Sequence, residues 1–166
     1  MRYLWFFFLI SFSVSAQENQ APHEDALSGT LAKNFEVTVL SGEKVSLVNY
    51  QGKVLLINIW DTICPPCIAE FPGFIDLYSK YKSKGFEVLG LTKALYEDSS
   101  GVEKFLKKHK LNYPNAIVTK AVIDSIGGTK GIPTTYLIDK NGKIYKRYFG
   151  YRKKEVFEND IQELLR

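Results

Sequence analysis

Val54-Leu55-Leu56-Ile57-Asn58-Ile59-Trp60-Asp61-Thr62-Ile63-Cys64-Pro65-Pro66-Cys67 is the stretch on which the fold of this 166-residue chain turns. Its first seven residues are large and nearly all apolar, the mark of a short strand buried on both faces of a parallel sheet. The two prolines between the cysteines suit the first turn of a helix, where a missing N–H costs nothing. That helix is expected from about Pro65 to Ser83. Ile68, Phe71, Ile75 and Tyr78 form its inward stripe at spacings of three and four, and Gly85 ends it. A cysteine pair gains from standing at a strand–helix junction, because the open N–H groups and positive dipole end favour an anion. A thiolate at Cys64 is stabilised there, and the thiolate is the attacking species in disulfide chemistry. Cys67, one turn inward, is then the resolving thiol.

Outward from this junction the pattern alternates. Phe35 to Val39 and Lys44 to Leu47 flank Ser41-Gly42 and read as a β-hairpin. Phe86 to Thr92 reads as a second buried strand, and Val102 to His109 as a helix with Phe105 and Leu106 inward. Asn115 to Val118 is a short strand. Thr135 to Asp139 and Ile144 to Phe149 flank Asn141-Gly142, a strong hairpin turn signal. A final helix is expected from about Lys154 to Leu165, with Phe157, Ile161 and Leu164 as its apolar stripe. Helices alternating with buried strands, closed by a hairpin and a helix, define an α/β fold with a mixed sheet.

The first sixteen residues stand apart. Arg2, an apolar run from Tyr3 to Phe12, and the small residues Val14-Ser15-Ala16 have the layout of a cleaved secretory signal peptide. An uncleaved anchor is the alternative, although the run is shorter than the roughly 20 residues a span needs. Residues 17 to 30 read as a polar linker and 31 to 166 as one domain, long enough to bury a sizeable core. The formal net charge of +4 falls by one if Met1 to Ala16 are removed, too mild a balance to argue for nucleic acid.

The chain has only two cysteines, in a protein that reads as entering an oxidising compartment. A staple closing so short a loop adds little stability, which disfavours a structural role. Half of a zinc site is the other rival. It fails on ligands, because the only histidines are His23 in the linker and His109 in a Lys-rich helix. No metal or other cofactor is expected.

Further motifs accompany the cysteines. Pro72 lies inside the helix within Glu70-Phe71-Pro72, and Gly131-Ile132-Pro133-Thr134-Thr135 precedes Tyr136-Leu137-Ile138-Asp139 and Asn141-Gly142. With Asn58-Ile59-Trp60 and Cys64-Pro65-Pro66-Cys67, these make the chain from about Leu31 to Leu165 resemble the thioredoxin superfamily, and more closely its exported TlpA/ResA-like branch. The resemblance implies a thioredoxin fold: a central mixed sheet of about five strands flanked by helices, with an N-terminal β-hairpin extension. It matches Cys64 to the nucleophile, Cys67 to the resolving cysteine and the two together to a redox-active disulfide. Pro133 matches the cis-proline beside that disulfide, and Ile132 the residue whose backbone pairs with an extended substrate. Trp60, Pro65 and Pro66 complete the expected contact region.

Glu70 matches the family's acid. Its spacing from both cysteines allows a role as proton acceptor for Cys67 or as a tuner of the thiols. The same carboxylate could simply favour the first helical turn. Asn58 stands where cytoplasmic thioredoxins carry a buried acid, which shifts any base role toward Glu70. Three residues or segments depart from the pattern. Ile63 replaces a usual Trp, Asp61 adds a negative charge that opposes thiolate formation, and Gly127-Gly128-Thr129-Lys130 reads as a longer, more flexible loop. The implied activity is thiol–disulfide exchange on exported proteins, most simply as a reductant, with cytochrome c apoproteins as one substrate class and a membrane thiol carrier as electron donor. A thiol peroxidase and a copper-binding assembly module remain as alternatives.

Overall fold

The computed structural model describes residues 27 to 166, so the expected signal peptide and most of the expected linker lie outside the described residues. A two-stranded antiparallel ribbon comes first: β1 (Glu36–Thr38) and β2 (Lys44–Ser46), with Val37 opposite Val45. A short 3-10 helix (Leu47–Tyr50) leads into β3 (Val54–Trp60), every residue of which is buried. The order then runs α1 (Pro65–Tyr81), β4 (Phe86–Thr92), α2 (Ser99–Lys108), β5 (Asn115–Ile117), α3 (Lys120–Ser125), β6 (Thr134–Ile138), β7 (Ile144–Phe149) and α4 (Lys154–Leu165). The five-stranded sheet has the order β5-β4-β3-β6-β7, with β3, β4 and β5 parallel and β6 and β7 antiparallel to their neighbours. This is the mixed sheet and ribbon of the expected thioredoxin fold.

β3 sits at the centre because it is apolar on both faces. Leu55, Ile57 and Ile59 face a core shared with the ribbon, Tyr136 and Ile123. Val54 and Leu56 face α1 and α4 through Phe74, Leu77 and Phe157. Phe74 and Phe157 meet with ring centroids 5.0 Å apart, which locks α1 to α4.

Four expectations need correction. The buried stripe of α1 is Cys67, Glu70, Phe71, Phe74, Leu77, Tyr78 and Tyr81, whereas Ile68 and Ile75 are only half-buried. The helix is covered by both the sheet and α4, so its apolar face is broader and rotated from a simple stripe. α2 begins at Ser99 rather than Val102, because the Asp98 side chain caps it by accepting from Gly101 N at 2.8 Å. Phe105 and Leu106 face inward as expected, half-buried against the cluster of Trp60 and the cysteines, and Val102 beside them is buried fully. Residues 27 to 30 are not a free linker: Gly29 N donates to Ile144 O at 2.8 Å and Ile144 N to Thr30 O at 2.9 Å, completing the β7 edge. Finally, α3, which follows β5 in the chain, was not expected; it buries Ile123 in the core shared with the ribbon.

Candidate active site

β3 ends at Trp60 and the chain turns through Asp61-Thr62-Ile63 to Cys64, which caps α1 in an extended conformation (φ −107°, ψ 93°). Pro65 and Pro66 occupy the first two helical positions and are exposed. Cys64 and Cys67 are joined by a disulfide, with Cα atoms 5.3 Å apart. The Cys64 sulfur accepts from Cys67 N at 3.3 Å, so an N–H at the helix start already points at the atom that would carry a thiolate. Cys64 is 5% exposed and Cys67 0%, so Cys64 is the outer sulfur.

Beneath them lies an aromatic floor. Trp60 meets Phe71 edge-on at 5.3 Å and stacks on Phe105 at 5.5 Å, and His109 covers Phe105 at 4.4 Å. His109 is thus packed on aromatic rings. Among the described residues no cluster of three His, Cys, Asp or Glu side chains is placed to hold a metal. Trp60 Nε1 donates to Asn115 Oδ1 at 3.0 Å, and a side chain at Gly90 would place its Cβ 1.9 Å from that oxygen. Only glycine therefore fits at Gly90 in β4.

The Ile132–Pro133 peptide bond is cis, as the resemblance implied, and Ile132 packs against the cluster that contains both cysteines. The preceding loop is tied down, contrary to the expectation of flexibility. The Tyr136 hydroxyl donates to Gly128 O at 2.5 Å, Arg147 Nη1 to Gly127 O at 3.0 Å, and Thr134 Oγ1 to Gly131 O at 2.6 Å. Tyr136→Phe removes the first of these and is expected to cost about 1 kcal/mol. Thermal unfolding measures that loss, and faster amide hydrogen exchange at Gly128 to Gly131 would show it acting through the loop.

Glu70 is 4% exposed, so it is not a solvated charge at a helix end. Its Oε1 accepts from Arg152 N at 2.8 Å, while Oε2 is buried without a hydrogen-bond partner among the described residues. Burial pushes its carboxyl up to about 7, against the lowering effect of the Arg152 N–H and charge. The Tyr113 hydroxyl is likewise buried and unpartnered, and burial together with Glu70 raises it above the usual tyrosine value. Asn58 Nδ2 donates to Thr135 Oγ1 at 3.1 Å, holding an amide and no acid in the centre of the sheet.

Asp61 is also buried. Its carboxylate accepts from Thr62 Oγ1 and Thr92 Oγ1 at 3.4 Å and from Leu95 N at 3.3 Å. Sequence reasoning missed Asn115, Phe105, Tyr113 and the Arg152 N–H. All four reach the site from distant segments, and only the aromatic character of Phe105 carried any signal.

A disulfide capping a helix on a thioredoxin fold, with a cis-proline loop against it, defines a thiol–disulfide oxidoreductase. Residues 28–147 match the AhpC/TSA family, and the chain belongs to that family and to the ResA-like thioredoxin-fold thiol–disulfide oxidoreductases. It is 37% identical over 144 residues to thiol-disulfide oxidoreductase ResA of Bacillus cereus, covering 87% of this chain and 82% of that one. The ResA of Geobacillus thermodenitrificans is 34% identical over 136 residues, covering 82% and 77%. Among solved structures, a thioredoxin-family thiol:disulfide interchange protein from Chlorobium tepidum superposes with a TM-score of 0.75 at 28% identity, covering 86% of this chain and 99% of that one. StoA from Bacillus subtilis superposes with a TM-score of 0.66 at 26% identity, covering 78% and 96%. These relatives favour disulfide exchange over peroxide reduction or copper handling.

Proposed function

We propose that the protein is an exported reductant of protein disulfides. The observation that carries this reading is the asymmetry of the pair: Cys64 lies outermost, its sulfur facing an N–H at the start of α1, and Cys67 is sealed beneath it. In the reduced form the Cys64 thiolate attacks one sulfur of a substrate disulfide, and the other substrate sulfur leaves as a thiolate and takes a proton. Cys67, its proton accepted by Glu70, then attacks the Cys64 sulfur of the mixed disulfide. The second substrate thiol leaves, two electrons have passed to substrate, and the Cys64–Cys67 disulfide remains. A membrane dithiol donor restores the reduced form by the reverse exchange.

Ile132 and Pro133 receive an extended substrate segment through the Ile132 backbone, beside the exposed ring faces of Pro65 and Pro66, and Trp60 supports the loop from below. Residues 1 to 16 act as the export signal and 17 to about 26 as a spacer, placing the domain outside the cytoplasm, in the bacterial periplasm. Exported protein disulfides, those of cytochrome c apoproteins among them, are the substrates, and nucleic acid is not a partner. Two measurements test this. The reduced protein is expected to reduce insulin disulfides, and its potential against glutathione should lie in the reducing range of thioredoxins, near about −270 mV. A potential near about −120 mV would make it an oxidant instead.

A further inference from the structure

The β4–α2 loop stands beside the cysteines and has no part in the chemistry above. Trp60 and Thr92 are register partners at the ends of β3 and β4, so the cysteine loop and the loop from residue 93 to 98 leave the sheet side by side. Ala94 packs on the cluster of Trp60, Cys64 and Cys67, in a left-handed conformation (φ 49°) that only a well-held alanine adopts. Two contacts hold it. Ala94 N donates to Thr92 Oγ1 at 3.1 Å, and the next amide, Leu95 N, donates to the buried Asp61 carboxylate, which also accepts from Thr92 Oγ1. Asp61 therefore ties the two loops together from below.

Both loops expose large apolar side chains. Ile63 is 56% exposed, Leu95 57% and Tyr96 73%. Among the described residues the other exposed large hydrophobics are Tyr151, next to the Arg152 that binds Glu70, and Leu31 and Val48, which line a cavity of about 190 Å³ at the opposite end of β3. Three of the six exposed large hydrophobics among the described residues thus lie on the two loops that leave the sheet beside the cysteines. Contiguous exposed apolar side chains mark an interaction surface.

We infer that Asp61 is a positioning residue that holds Leu95 and Tyr96 beside Ile63 as an apolar lip, and that this lip selects protein disulfides flanked by apolar side chains. The inference rests on the reading of Cys64 as the attacking thiol of a protein-disulfide reductant. Asp61 touches no reacting atom; it acts through the loop. The usual reading of a carboxylate here, a charge that opposes the thiolate, is separable from the tie by the choice of variants.

The reduced protein is given two short peptides, each closed by a disulfide, one with leucines beside its cysteines and one with serines. The readout is the ratio of kcat/KM for the two peptides within each protein, which cancels any change in thiol chemistry common to both. The wild type is expected to prefer the leucine peptide by about tenfold, the scale of a single small apolar contact. Asp61→Ala is expected to lose that preference, and so is the double variant Leu95→Ser with Tyr96→Ser, whose substitutions lie on the surface and leave the fold intact. Asp61→Asn keeps an acceptor for Leu95 N–H and is expected to keep the preference. Asp61→Ala and Asp61→Asn both remove the charge, so their difference reads the tie alone. A wild type without preference, a double variant that retains it, or alanine and asparagine variants with equal preference would overturn the inference while leaving the reductant reading intact. A wild type that reduces neither peptide overturns the reductant reading, and the inference with it.

Discussion

Replacing Cys64 with serine is expected to reduce disulfide exchange to the uncatalysed background, whereas replacing Cys67 leaves a protein that still attacks but cannot finish. The difference follows from where each sulfur sits. Cys64 caps α1, and its sulfur faces the Cys67 N–H at 3.3 Å. That contact and the helix dipole stabilise a thiolate at Cys64 and nothing comparable at Cys67. A serine hydroxyl in the same place stays protonated and is a poor nucleophile. In Cys67→Ser the mixed disulfide forms at Cys64 and no thiol stands behind it to release the substrate. Mass spectrometry of protein exposed to disulfide substrates should find covalent adducts on Cys67→Ser and none on Cys64→Ser. In the reduced wild type, alkylation at mildly acidic pH should label Cys64 well before Cys67. Equal trapping by the two variants, or faster labelling of Cys67, would overturn the assignment.

Glu70→Gln is expected to change both stability and reactivity, each with a definite pH dependence. In the folded protein the Glu70 carboxyl is raised from its ordinary value of 4.5 to about 7, chiefly by burial. A native state that holds the proton more tightly than the unfolded chain has a stability contribution fully present below pH 4.5 and lost as pH rises through 7. The loss integrates to about 3 kcal/mol. Glutamine does not titrate and keeps an acceptor for the Arg152 N–H, although its amide nitrogen takes the buried place of the unpartnered Oε2. The stability difference between variant and wild type should therefore swing toward the variant by roughly 2 to 3 kcal/mol between about pH 5 and pH 8. Denaturant unfolding of the oxidised proteins across that range measures it, and parallel curves would refute the buried, raised carboxyl. If Glu70 also takes the proton of Cys67, the wild-type exchange rate should inflect near 7 and the variant's should not.

Much of this was legible along the chain. β3, β4, β7 and α4 have the bounds read from periodicity, because each is either uniformly apolar or strongly amphipathic. The cysteine loop, the cis-proline loop and the Asn141-Gly142 turn are local motifs, and local motifs survive in one dimension. What failed was long-range. The sequence offered Glu70 either as a dipole complement or as a proton acceptor. What one dimension could not show is that the carboxylate is buried and bound by the Arg152 N–H, from a segment 82 residues away. Gly127 to Lys130 reads as loose from composition, but Tyr136 and Arg147 reach it from β6 and β7. Asp61 reads as a charge near a thiol, yet its hydrogen bonds go to the neighbouring loop.

The seclusion of Cys67 has a consequence for traffic through the protein. With one sulfur sealed and the other at the rim, there is a single doorway to the disulfide, and electrons must enter and leave by it. Donor and acceptor cannot be seated together, so the protein behaves as a ferry that loads and unloads at the same berth. Each partner engages the same sulfur in a different redox state of the protein, so loading and unloading take turns at one site.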